Sequence, residues 1–99
     1  MWAEHVIDNS TEGLHGTGIA DMDKDGDLDV VAAEWKGLLQ VSVFFNQGKG
    51  AVWKQQVIAT TGSHNIRVAD IGKDGDWDIF GAMPFGSPGL IELWENQLR

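Results

Sequence analysis

The chain repeats itself, and the repeat limits what it can fold into. Two acid-rich stretches lie 49 residues apart, Asp21-Met22-Asp23-Lys24-Asp25-Gly26-Asp27-Leu28-Asp29 and Asp70-Ile71-Gly72-Lys73-Asp74-Gly75-Asp76-Trp77-Asp78. The similarity continues on both sides. His15 to Asp21 matches His64 to Asp70 at the same spacing, Trp2 to Asp8 matches Trp53 to Ala59 at a spacing of 51, and Val43 to Asn46 matches Leu93 to Asn96 at a spacing of 50. The 99 residues are therefore two copies of one unit, 1–52 and 53–99. A period of about 50 residues is typical of propeller blades and other repeat arrays, whose units bury their apolar faces on their neighbours.

Within each copy, short runs of β-branched and aromatic residues alternate with Gly or Asn clusters, a pattern that predicts strands. The runs cover residues 15–20, 28–34, 39–45 and 53–59, then 64–69, 77–83 and 89–95. No sustained apolar stripe at helical spacing competes, and thirteen glycines favour tight turns. Four strands per unit of about 50 residues describe a propeller blade. The second copy lacks a fourth strand, yet a matching segment, residues 2–8, stands at the start of the chain. The expected fold class is all-β, with one complete four-stranded blade and one blade split between the termini.

Two blades do not close a ring, and open edges of apolar strands invite aggregation. The expected remedy is a cyclic homo-oligomer in which residues 2–8 of one copy complete the second blade of its neighbour. Propellers of about four to eight blades make three or four copies the expected count. The alternative is that the chain is a portion of a longer propeller.

The formal charge of -8 comes from fifteen acids against seven bases, and nine of the acids sit in the two loops. No basic patch is present to neutralise phosphates, so nucleic acid is excluded as the expected partner. Membrane insertion is not expected either, since no run approaches the ~18 apolar residues of a span. Residues 1–5 lack the basic and apolar regions of a signal peptide. Cysteine is absent, so no disulfide supports the small core.

Oxygen ligands at loop positions 1, 3, 5 and 9, with a main-chain carbonyl near 7 and a glycine turn at 6, surround a hard cation. In the first loop Asp21, Asp23, Asp25 and Asp29 supply the side chains, Gly26 the turn and Asp27 the carbonyl. In the second, Asp70, Asp74 and Asp78 remain with the Asp76 carbonyl, and Gly72 stands where a carboxylate is missing. All-oxygen, multi-carboxylate coordination suits Ca2+ better than Mg2+, which keeps its waters, or zinc, which seeks nitrogen and sulfur. The second site is expected to bind more weakly. The competing reading is a solvated acidic turn without metal.

Asp21-x-Asp23-x-Asp25-Gly26-x-x-Asp29, with Ile19-Ala20 before it and Val30-Val31-Ala32 after it, resembles the FG-GAP or VCBS repeat of integrin-α-type β-propellers. The resemblance covers both copies. It implies a propeller of about seven blades, Ca2+ in the loops between the first two strands of each blade, and a protein usually extracellular or exported. It also implies metal ligation by Asp21, Asp23, Asp25 and Asp29, and by Asp70, Asp74 and Asp78. Gly72 departs from the pattern, as does a length of only two blades.

Other residues invite narrower expectations. His15 and His64 each precede a loop by six residues and are expected near one rim of the channel, to bind a ligand or to cap backbone. Arg67 replaces Gly18 of the first copy and is expected to pair with a loop carboxylate or to line the channel. Trp35, between Glu34 and Lys36, is either rim packing or a sugar-stacking platform. Asn9-Ser10-Thr11 fits a glycosylation acceptor. Catalysis is not expected, because there is no cysteine nucleophile and no Gly-x-Ser-x-Gly elbow, and metal coordination accounts for the carboxylates. The expected function is a Ca2+-stabilised, self-assembling structural or interaction module. The alternatives are a carbohydrate-binding lectin or a fragment of a sugar-active propeller enzyme.

Overall fold

The computed structural model describes residues 1–83 and 89–98. Among them are seven strands and no helix. β1 (Leu14–Ala20), β2 (Asp29–Glu34), β3 (Val41–Asn46) and β4 (Trp53–Ala59) form one antiparallel sheet in chain order. β5 (Asn65–Ala69), β6 (Asp78–Met83) and β7 (Leu90–Trp94) form a second. The all-β expectation holds, and every strand begins and ends within two residues of its expected bounds. Neither sheet closes on itself.

Burial explains the order within the first sheet. β2 is central, and its Val31, Ala32 and Ala33 are buried, as a strand covered on both faces requires. β4 is outermost, and its Lys54-Gln55-Gln56 run is exposed, a polar edge that discourages further pairing. The acidic loops are the hairpins joining β1 to β2 and β5 to β6, closed by the facing pairs Ala20 with Asp29 and Ala69 with Asp78.

The core lies between the two sheets. Ala20, Met22, Val31, Ala33, Val41 and Val43 of the first face Ile66 and Ile79 of the second, with Ile58, Val68 and Trp94 packed at the margin. The innermost strands approach closely because β1 carries glycines on that face. A Cβ at Gly18 would stand 2.8 Å from Val68 Cγ2.

Residues 2–8 form no strand within the single chain, where the neighbouring copy they are expected to pair with is absent, and Trp2 is 98% exposed. The reason is local to a single chain: the sheet edge they match belongs to the far side of the second blade, and a strand without a partner leaves its backbone groups unpaired. Their placement is nonetheless informative. Ile7 and Asp8 flank a small cavity on the outward face of the first sheet, beside Val30 and Phe44. Ile58, the repeat-equivalent of Ile7, flanks the cleft between the sheets beside Ile79 and Trp94, the equivalents of Val30 and Phe44. The amino-terminal segment therefore stands against the first blade as the end of β4 stands against the second.

Candidate metal centres

Each acidic loop is built on a repeated backbone course. Lys24 and Lys73, at position 4, adopt φ of 60° and 57°, and Gly26 and Gly75, at position 6, adopt 96° and 90°. Glycine tolerates this region, so position 6 turns without steric cost. Asp21 accepts the Asp25 and Gly26 N–H groups at 3.0 and 2.8 Å, and Asp70 accepts the Asp74 and Gly75 N–H groups at 3.1 and 2.9 Å.

Asp29 and Asp78 have a second role that spacing alone did not disclose. Both are buried. Asp29 Oδ2 accepts the Met22 N–H and Oδ1 accepts the Asn46 N–H, each at 2.8 Å. Asp78 repeats the arrangement with the Ile71 N–H at 3.0 Å and the Asn96 N–H at 2.9 Å. These carboxylates tie the loop to the end of the third strand of each blade, through hydrogen bonds to a charged acceptor.

Three carboxylates, rather than the four expected, converge in the first loop. Ligand oxygens of Asp21, Asp23 and Asp29 lie within 4.8 Å of one another. Asp25 stays outside this group and accepts the Asp27 N–H at 2.9 Å, as Asp74 accepts the Asp76 N–H at 3.0 Å in the second loop. In the second loop the group is Asp70, Asp74 and Asp78, as expected. Oxygens bound to one Ca2+ at 2.3–2.6 Å lie at most about 5 Å apart, and both groups satisfy that limit.

The first loop carries the strain of an uncompensated site. Asp23 Oδ1 is buried and accepts no hydrogen bond from the described residues. The Asp23 carboxyl is pushed up to about 6, first by burial and then by the charges of Asp29 and Asp25. Asp70 is held below its ordinary value, chiefly by the Gly75 N–H. The two carry opposite consequences for stability. Asp23, raised above 3.8, penalises the metal-free fold once ionised, so that penalty sets in as pH rises from about 4 to 6. Asp70, lowered, contributes stability above the ordinary carboxylate value that is lost as pH falls further. In chelator, Asp23→Asn is therefore expected to raise the melting temperature at pH 7 and to leave it nearly unchanged at pH 4. An equal effect at both pH values would contradict this assignment.

The loops also touch each other. Lys24 Nζ of the first lies 3.0 Å from Oδ1 of the buried Asp76 of the second, so this side chain, expected to matter only through its carbonyl, anchors the blade contact. Glu95 approaches the second site: its Oε2 would stand 3.8 Å from a Cβ at Gly72. Sequence reasoning missed Glu95 because its repeat-equivalent is Phe45.

At the opposite end of the blades, His15 and His64 stack with ring centroids 3.6 Å apart, and His15 Nδ1 lies 2.9 Å from the His64 carbonyl. Trp35 meets His64 edge-on at 6.0 Å and takes Lys36 Nζ at 5.4 Å from its ring centre. Trp35 thus packs at this rim. Arg67 does not reach a loop carboxylate, contrary to the pairing expected; its Nη1 donates to the Ile66 carbonyl at 2.8 Å, since β5 holds it away from the loops. The buried Glu34, which sequence reasoning did not single out, accepts the Glu12 and Gln40 N–H groups at 2.8 Å each.

A family model described as an FG-GAP-like repeat matches residues 21–81, a span that runs from the first acidic loop through the second. No curated protein and no solved structure matches the chain.

Proposed function

Since the chain belongs to the FG-GAP-like repeat family, we propose that it is a Ca2+-binding pair of propeller blades, non-catalytic, which closes a β-propeller with further copies of itself and serves a structural or interaction role. The observation that carries the calcium reading is the buried, unpartnered Asp23 Oδ1 beside Asp21 and Asp29. A divalent cation there would satisfy that oxygen and relieve the mutual repulsion of the three carboxylates. Asp70, Asp74 and Asp78 would hold the second ion, with no carboxylate at Gly72 to add to them.

Self-assembly is supported by the open edge of β7 and by the segment that matches its missing partner. Transferring the pairing of β3 with β4 by repeat equivalence sets Ile91 opposite Asp8 of another copy, Leu93 opposite His5 and Asn96 opposite Trp2. The family's extracellular or exported setting would supply millimolar Ca2+. With Kd values of about 0.1–1 mM, that concentration stabilises by about 0.4–1.4 kcal/mol per site.

Isothermal titration with CaCl2 tests the reading. Two unequal sites are expected, together with a melting temperature lowered by chelator. Gly72→Asp is expected to tighten the weaker site about tenfold: among the described residues the nearest atoms to the new Cβ, at 3.8 Å, belong to the Asp74 and Glu95 carboxylates, so the added carboxylate joins an acidic group that a cation would hold together. Absence of binding up to 10 mM, with a melting temperature indifferent to chelator, would overturn the calcium assignment.

A further inference from the structure

The contact between the two blades has a repeat-equivalent that these 99 residues do not make among themselves. Inside the chain, Lys24 crosses from the first loop to Asp76 of the second, and its Nζ would stand 3.2 Å from a Cβ at Gly75. Asn96 Nδ2 donates to the Met22 carbonyl at 2.8 Å, and Met22 is buried between the sheets. Moving by one repeat, Lys73 replaces Lys24, Ile71 replaces Met22 and Asp27 replaces Asp76. Lys73 and Ile71 stand on the outward side of the second blade, and Asp27 on the outward side of the first.

Their surroundings differ from those of their equivalents in the way an unmade contact would. Ile71 is 48% exposed where Met22 is 4%. Nothing lies within 4 Å of a Cβ at Gly26, where the equivalent position at Gly75 has the Lys24 ammonium. Lys73 is exposed, and it is the one base of an otherwise acidic loop. The chain carries a net charge of -8, so copies meeting at random repel, and an approach that sets Lys73 against Asp27 is the favourable one.

We propose that a second copy docks on this face, with Lys73 of one copy paired to Asp27 of the next and Ile71 buried between them, in the manner of Lys24, Asp76 and Met22 inside the chain. The inference rests on the self-assembly proposed above and specifies its contact. The copy is not identical at the innermost strands: Arg67 stands where Gly18 admits Val68, so two chains meet more widely there than two blades of one chain. The loop end, where a lysine reaches across, and the exposed apolar residues of β7 then carry the contact.

Sedimentation velocity of the full chain in Ca2+, over a range of concentrations, tests it. Lys73→Glu is expected to raise the concentration of half-assembly at least about tenfold, because attraction becomes repulsion at every junction. The double variant Lys73→Glu with Asp27→Lys is expected to recover assembly to within about threefold of the unaltered chain. Unaltered assembly by Lys73→Glu, or no recovery in the double variant, would overturn the pairing while leaving self-assembly intact. A monomeric unaltered chain at every concentration would overturn both.

Discussion

Replacing Asp29 by alanine is expected to cost the fold about 2–6 kcal/mol, because two backbone donors lose their acceptor inside the protein. Asp29 is fully buried, and its two oxygens take the N–H groups of Met22 and Asn46. Asn46 in turn accepts the Gly48 and Gly50 N–H groups at 3.0 Å each, so the turn leading to β4 loosens with it. Asp29→Asn keeps one acceptor and is expected to cost about half as much. Urea denaturation, followed by tryptophan fluorescence in Ca2+ and again in chelator, separates this role from ligation. The loss should persist in chelator. Were Asp29→Ala harmless without Ca2+, the residue would be a ligand alone. Asp23 should behave in the opposite sense, since its carboxylate burdens the metal-free loop and is useful only with an ion.

Deletion of residues 1–8 is expected to abolish assembly and return the mass of a single chain. In this structure those residues form no strand and Trp2 lies in solvent, so their loss removes little from the fold of one chain. Their proposed work is done on another copy, by pairing along β7 and covering Ile91 and Leu93, which are 86% and 50% exposed. Light scattering of the truncated and full chains in Ca2+ measures the difference, and calcium titration of the truncated chain should be unaltered. Assembly of the truncated chain at the concentrations that suffice for the full one would show that strand exchange plays no part.

Much of the blade pair was legible because its signals are short in sequence. The strands follow from runs of Val, Ile and Phe between glycines, and pairing of neighbours in chain order needs only tight turns. The loops are legible for the same reason: nine consecutive residues hold the three converging carboxylates of each site, so spacing alone locates them. Two details of these loops were beyond spacing. Asp25 stays out of the carboxylate group while Asp74 enters the corresponding one, although both cap their turns alike.

The repeat, the all-β class and the position of the two acidic loops are all readable in the residues as written. The tertiary structure decided which groups from different repeats meet. It brings Lys24 to Asp76 and stacks His15 on His64. It leaves Arg67 on its own backbone and sets Ile7 against the outward face of the first blade. The physical reason is the range of the interactions. Turn geometry and strand alternation are set by neighbours along the chain, whereas a contact between blades depends on how closely two sheets pack, and here that spacing is set by the missing side chains of Gly16 and Gly18.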